Sequence, residues 1–297
     1  MPDTESYLSL DELVSGIGPG CMLALPPDYS GVAMAATRAL IRRGAADLHI
    51  VACPTSGLQT DMLIGAGCVA TVEAAAITFG EFGPAPRFVH AVGKGAIALK
   101  DSTCPAIHAG LQAAEKGVPF MPLRGIIGSD LVAHRPDWRI IDNPMPDGRK
   151  ADGQQQPDGR EADGQQESDK EDPILLLPAI APDVALFHAP LGDRFGNVWV
   201  GRRRELITMA HAAKATLVTV EAIHDGDLLG DERMAAGALP ALYVEAVAEA
   251  PRGAWPLALA GHYPLDDGHM EDYMRRAASD EGFAAYLAEH VLSARAA

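Results

Sequence analysis

Apolar and polar positions along this chain switch between two spacings, and each switch marks an element. Residues 21–27 (CMLALPP) are an apolar run of strand length. In the stretch that follows (GVAMAATRALIRR), Val32, Ala36, Ala39 and Leu40 recur at helical spacing and share one face. Ser30 is placed to cap that helix, Arg42 and Arg43 suit its carboxyl end, and Gly44 can terminate it. DLHIVAC (47–53) then reads as a second strand, so the three segments predict a β-α-β unit with parallel strands. Pro105 fits the first turn of a helix through AIHAGLQAAEK that stops at Gly117, and VPFMPLRG is a strand running into a loop. Strands follow at 183–189, 197–201 and 216–222, with a helix around 205–214 and helical spacing again from 270 to 292. This alternation predicts an α/β fold, an open and mostly parallel sheet flanked by helices.

One segment breaks the pattern. PDGRKADGQQQ (146–156) is followed at once by PDGREADGQQE (157–167), a tandem duplication with nine of eleven positions identical. Residues 146–172 contain no Val, Ile, Leu, Met or aromatic side chain, so nothing there offsets the entropy of ordering the chain. Residues 144–173 are therefore expected to be a disordered low-complexity insertion within a single domain spanning 1–297. Nine acids against four bases in 146–172 supply −5 of the formal charge of −16. That acidity leaves no basic surplus for nucleic acid or for an anionic membrane surface. No apolar run approaches the ~18 residues of a membrane span, and the start lacks the basic end and apolar core of a signal peptide. The expected compartment is the cytoplasm.

Cys21, Cys53, Cys68 and Cys104 form no close pair, and the ten histidines show neither HxxxH nor HExxH, so no metal site is expected. Gly65 and Gly67 fit G-x-G-x-x-A, one form of the dinucleotide fingerprint. That fingerprint belongs at the first strand-to-helix turn, which here is LPPDYSG, and no acid stands ~20 residues on to hold a ribose. The two glycines are read instead as a tight backbone turn near the site.

In open α/β sheets, ligands sit beyond the carboxyl ends of the strands. That selects Pro27, Asp28, Tyr29 and Ser30 after the first strand and Thr55, Ser56 and Gln59 after the second. It also selects Arg124, Gly128 and Ser129 in RGIIGSD, where Arg124 could meet a carboxylate or phosphate or form a structural ion pair. Asp193, Gly196 and Asn197 read as a turn. Arg202, Arg203 and Arg204 read as a phosphate patch or a helix approach.

DMLIGAG, FGPAPRFVHAVGKGAI, GLQAAEKGVPFMPLRGIIGSDL, PDVALFHAPLGDRFGNV and DEGFAAYLAEHVL occur in that order. The set resembles the α-subunit of class I (family I) coenzyme A transferases, of the glutaconate CoA-transferase A-subunit type. The resemblance implies a Rossmann-related sheet and a β-subunit partner of the same fold, in an α2β2 or larger assembly. It implies that CoA moves from an acyl-CoA to a carboxylic acid through a glutamyl-CoA thioester on the β-subunit. The CoA thioester is substrate, and no further cofactor is expected. Relatives carry a glycine-rich turn where this chain has LPPDYSG and a shorter loop at the insertion. No catalytic residue is then expected in this chain. Its own candidates are Glu81, expected as a solvated loop carboxylate, and Glu73, expected to cap or flank an element. The same superfamily contains steroid-ring-opening CoA-thioester hydrolases, which this chain also resembles. These place a glutamate before the G-L-Q-A-A helix, where Cys104 stands here as a buried cap-position thiol or an activated thiolate. A non-catalytic acyl-CoA-binding scaffold is the remaining alternative.

Overall fold

A computed structural model describes residues 7–145 and 172–293. In chain order its first half runs α1 (Leu10–Ser15), β1 (Met22–Leu25), α2 (Met34–Arg43), β2 (Leu48–Ala52), β3 (Thr55–Ser56), α3 (Leu58–Gly65), β4 (Val69–Ala74), β5 (Ala76–Ile77), α4 (Pro86–Gly93), β6 (Ala98–Asp101), α5 (Cys104–Glu115), β7 (Phe120–Leu123) and β8 (Arg139–Asp142). The second half runs β9 (Pro173–Pro178), β10 (Val184–Asp193), β11 (Val198–Trp199), α6 (Arg204–Ala212), β12 (Ala215–His224), α7 (Glu232–Ala235), β13 (Ala238–Leu239), β14 (Ala246–Glu249), α8 (Asp267–Ala277) and α9 (Asp280–His290).

The central sheet is built on seven parallel strands in the order β14-β12-β10-β1-β2-β4-β6. The short antiparallel strands β11 and β13 continue it beside the far half of β10. Alternate strand residues feed two cores, as the pleat requires. Leu23, Leu25, Ile50 and Val72 pack with Leu40, Met62, Tyr273 and Tyr286 on one face. Ala24, Val51, Ala185 and Phe187 pack with Ile107, Leu111, Leu206 and Met209 on the other. Each fully buried Leu or Phe contributes about 1.5–3 kcal/mol, so helices on both faces hold the sheet. The open, mostly parallel α/β architecture is as the pattern predicts. No helix among the described residues is long and apolar enough to cross a membrane.

Several local expectations are corrected. Ser30 does not cap α2: the N-cap is Ala33, without a side-chain bond, while Gly44 does end the helix at φ 75°. VPFMPLRG supplies β7, but β7 lies in a separate antiparallel sheet, β7-β9-β8, that packs Leu175, Leu177 and Trp138 onto Ala106 and Ala109 of α5. The duplicated segment lies outside the described residues. The boundary at 173 expected for the insertion is corrected, because Pro173 opens β9, and the Asn143 N–H bonds the Asp172 carbonyl at 2.9 Å to join β8 to β9.

Gly65 ends α3 and Gly67 lies between it and β4, in a helix-to-strand turn at the amino end of the sheet. They are therefore not near the carboxyl edge, and this is the opposite kind of turn from a dinucleotide fingerprint. Gly67 turns at φ 75°. A Cβ on Gly65 would stand 2.5 Å from Phe283 Cζ and 2.8 Å from Arg87 Cγ. Gly65→Ala is therefore expected to lower stability by about 1–3 kcal/mol through overpacking, read as a lower urea midpoint with an unchanged slope.

Candidate active site

The carboxyl edge of the parallel sheet is where the loops after β1 and β2 meet. The first loop turns inward. Ser30 is fully buried and its hydroxyl donates to Glu205, while Gly31 (φ 73°) lies directly against the His188 carbonyl with no room for a Cβ. The His188 N–H bonds the Gly31 carbonyl at 2.7 Å. Tyr29 alone points out, 63% exposed, with the Arg203 guanidinium 5.8 Å from its ring centre.

Asp28 reaches across to the next loop. Its Oδ2 accepts the Leu58 N–H at 3.1 Å and lies against Gly57, so this carboxyl caps α3 from another loop where Gly57 offers no side chain. Its Oδ1 is buried without a partner, and burial pushes the carboxyl up to about 7. Within α3, the Thr60 hydroxyl donates to Ser56 Oγ at 2.8 Å. Gln59 is fully buried with neither amide atom bonded, and Thr55 is half-buried. Asp61 accepts the Phe88 N–H and the Tyr273 hydroxyl, each at 2.7 Å, tying α3 to α4 and α8; burial pushes it up to about 6. The residues proposed after the first two strands thus lie on one edge, but mostly as an inward-facing polar layer.

The other candidates lie apart. Arg124 pairs with Asp172 at 2.9 Å beside the neck of the insertion, Gly128 turns at φ 88°, and the Ser129 hydroxyl donates to the Ile126 carbonyl. Because β7 is outside the central sheet, the carboxyl-edge argument does not reach these three residues. Glu81 is exposed on a single 3-10 turn, Gly80–Phe82. Cys104 is exposed, not buried, at the first position of α5, and Thr103 is the cap. Glu73 neither caps nor flanks: it lies within β4, bound to Arg135 at 2.7 Å and Lys100 at 3.1 Å. Asp193, Gly196 and Asn197 form a turn in which Asp193 Oδ1 accepts the N–H groups of Phe195 and Asn197.

A further cluster on this edge was not expected from the sequence. His188 on β10 and Thr219 on β12 are register partners, with Nδ1 2.9 Å from Thr219 Oγ1 and Nε2 3.2 Å from Glu221 Oε2. Burial lowers the His188 pKa, so the ring is neutral; Nε2–H donates to Glu221 and Nδ1 accepts from Thr219. Burial pushes Glu221 upward, but the bonds from His188, the Arg252 N–H and the Tyr263 hydroxyl outweigh it and hold the carboxyl at about 2. The available signal was one His and one Glu inside the apolar runs DVALFHA and TLVTVEA.

The A-subunit of 3-oxoadipate CoA-transferase from Pseudomonas knackmussii is 31% identical to this chain, covering 96% of this chain and 93% of its own length. The A-subunit of glutaconate CoA-transferase from Acidaminococcus fermentans is 27% identical, covering 86% and 78%. The crystal structure of the Acidaminococcus fermentans glutaconate coenzyme A-transferase superposes with a TM-score of 0.81 at 24% identity, over 97% of this chain and 89% of that one, which establishes the common fold. The family model for coenzyme A transferases matches residues 9–250, and this chain belongs to the coenzyme A transferase family.

Proposed function

We propose that this chain is the α-subunit of a heteromeric CoA-transferase. It works with a β-subunit of the same fold, in an α2β2 or larger assembly, to move CoA from an acyl-CoA to a carboxylic acid. The observation that supports this reading, beside the family match, is how four of the chain's sixteen glutamates stand. Glu73 is held in a buried ion pair, Glu205 is engaged by Ser30, and Glu221 is saturated by three donors. Glu81 stands on an exposed turn. A carboxylate nucleophile has to be partly desolvated and uncommitted to attack a thioester. We therefore assign that group to the β-subunit, with this chain supplying the Asp28 and Gln59 side of the cleft. The CoA thioester is substrate, and the mechanism calls for no other cofactor.

The purified chain alone is expected to transfer no CoA. Co-purified with its β-subunit, then incubated with acyl-CoA, it is expected to yield a β-subunit glutamate that borohydride reduces or hydroxylamine captures. Capture on this chain, or turnover by it alone, would overturn the assignment. CoA release without an acceptor acid would make the complex a thioester hydrolase, and neither reaction would leave a binding scaffold.

A further inference from the structure

We propose that Arg252 binds an oxyanion group of the substrate at the carboxyl edge of the sheet, either a carboxylate of the acyl or acceptor acid or a phosphate of CoA. The proposal builds on the transferase reading and names a recognition residue for it.

Arg252 stands three residues past the end of β14, in a left-handed backbone conformation (φ 57°) that non-glycine residues rarely adopt. Such a conformation persists only where its surroundings over-determine it, and they do so here. The Arg252 N–H donates to Glu221 Oε1 at 2.7 Å, and its carbonyl accepts the Trp255 N–H at 2.9 Å. The Gly253 carbonyl accepts the Ala35 N–H at 2.9 Å, and the Ala254 N–H donates to the Tyr263 hydroxyl oxygen at 3.1 Å. Gly253 lies so close to His188 that a Cβ would be 2.6 Å from Cε1. The buried His188–Glu221 pair therefore acts on the main chain of this turn.

The side chain is left for something else. Its guanidinium lies 5.2 Å from the centre of the Tyr263 ring, and among the described residues no carboxylate lies within 4 Å of it. The nearby acids are committed to other donors. Both Glu221 oxygens are taken by Arg252 N–H, Tyr263 and His188, and both Asp266 oxygens by Trp255 Nε1 and His269 N–H. The bond from Gly253 to Ala35 and the bond from His188 to Gly31 place this turn beside the Asp28–Gly31 loop. A planar guanidinium held against an aromatic ring suits two-point recognition of a carboxylate or phosphate.

The test uses the assembled α/β complex and calorimetric titration with CoA, 3′-dephospho-CoA and glutarate, so that it does not depend on turnover. Arg252→Gln is expected to weaken one class by about 10- to 100-fold, the range for a lost charge-assisted pair, and Arg252→Lys to recover part of it. Loss confined to glutarate identifies a carboxylate; loss of the advantage of CoA over 3′-dephospho-CoA identifies the 3′-phosphate. Arg252→Gly suits the left-handed backbone, so it should keep the thermal midpoint yet lose the same affinity, which a structural role would not produce. Affinities within about two-fold of the parent for all three probes, or no binding by the parent, overturn the proposal. A complex that binds but never transfers CoA would instead refute the transferase reading and leave this result standing.

Discussion

Arg135→Ala is expected to destabilise the chain by about 3–5 kcal/mol, because it leaves a buried carboxylate without its main counter-charge. Glu73 and Arg135 have side chains only 3% and 5% exposed, and their oxygen and nitrogen are 2.7 Å apart. Arg135 also donates twice to Asp137, donates to the Asp101 carbonyl at 2.9 Å, and lies 4.4 Å from the centre of the Trp138 ring. One guanidinium thus fastens the segment before β8 to strands β4 and β6. Burial pushes Glu73 upward, but His49, Arg135 and Lys100 together hold its pKa below the usual glutamate value. Once Arg135 is gone, Lys100 at 3.1 Å is the remaining close cation, and its side chain is 39% exposed. A cavity of about 70 Å³ lined in part by Glu73, Lys100 and Ser102 has room for water, which favours the lower end of the range. Replacing both partners, as Glu73→Leu with Arg135→Met, is expected to recover most of the loss, since a well-packed apolar pair can match a buried ion pair. A double-mutant cycle by urea unfolding reads the coupling directly. A single-variant loss under about 1 kcal/mol, the size of an exposed pair, would show that the pair is not the fastening described.

The contrast between what the sequence disclosed and what it concealed follows from burial. Strands β1, β2, β10 and β12 were legible because their apolar runs are bounded by turn residues, and α2 because Ala36, Ala39 and Leu40 recur at helical spacing ahead of Arg42, Arg43 and Gly44, although Val32 stands before the N-cap Ala33 and outside the helix. Helix α3 was not legible. Every residue from Leu58 to Ile64 is buried, including Gln59, Thr60 and Asp61, so it has no polar face to set its period. The role of Ser30 was misread because a capping serine and a serine bonded to a distant glutamate look alike in one dimension. Asp28, Ser56 and Gln59 lie at the carboxyl edge, where the loops after the first two strands were expected. Arg124, Gly128 and Ser129 failed the same argument, because sequence does not say that β7 leaves the central sheet. The Arg252 turn was invisible for a related reason: most of what holds it comes from far along the chain, with Tyr263, Glu221 on β12 and His188 on β10 standing 11, 31 and 64 positions from Arg252 and Ala35 on α2 much further.

Between pH 5 and pH 8 the chain is expected to lose about 3 kcal/mol of stability through Asp28, and Asp28→Asn to abolish that part of the loss. Burial raises the folded carboxyl to about 7, against roughly 3.9 in an unfolded chain. Between those values the folded state holds a proton that the unfolded state has released. Stability therefore falls as pH rises, by about 1.4 kcal/mol per unit while that difference lasts. The contribution is complete below pH 4 and is lost as pH passes through 7. Asp61, raised to about 6 by burial, acts in the same direction and lends its charge to the shift at Asp28. Other groups oppose this limb. The pKa of His188 is lowered by burial, and that of His269 to about 4, so each disfavours folding as pH falls below 6.5. Glu221, held at about 2, loses its contribution only in stronger acid. Comparing the Asp28→Asn variant with the parent at each pH cancels all of these except the coupling to Asp61. The amide oxygen of the substituted side chain can still accept the Leu58 N–H, so the cap on α3 survives while the charge does not. Thermal and urea unfolding at four pH values should therefore show the variant gaining on the parent steadily from pH 5 to 8. Parallel curves would mean that Asp28 ionises freely, and that the carboxyl edge is wetter than an unpartnered Oδ1 implies.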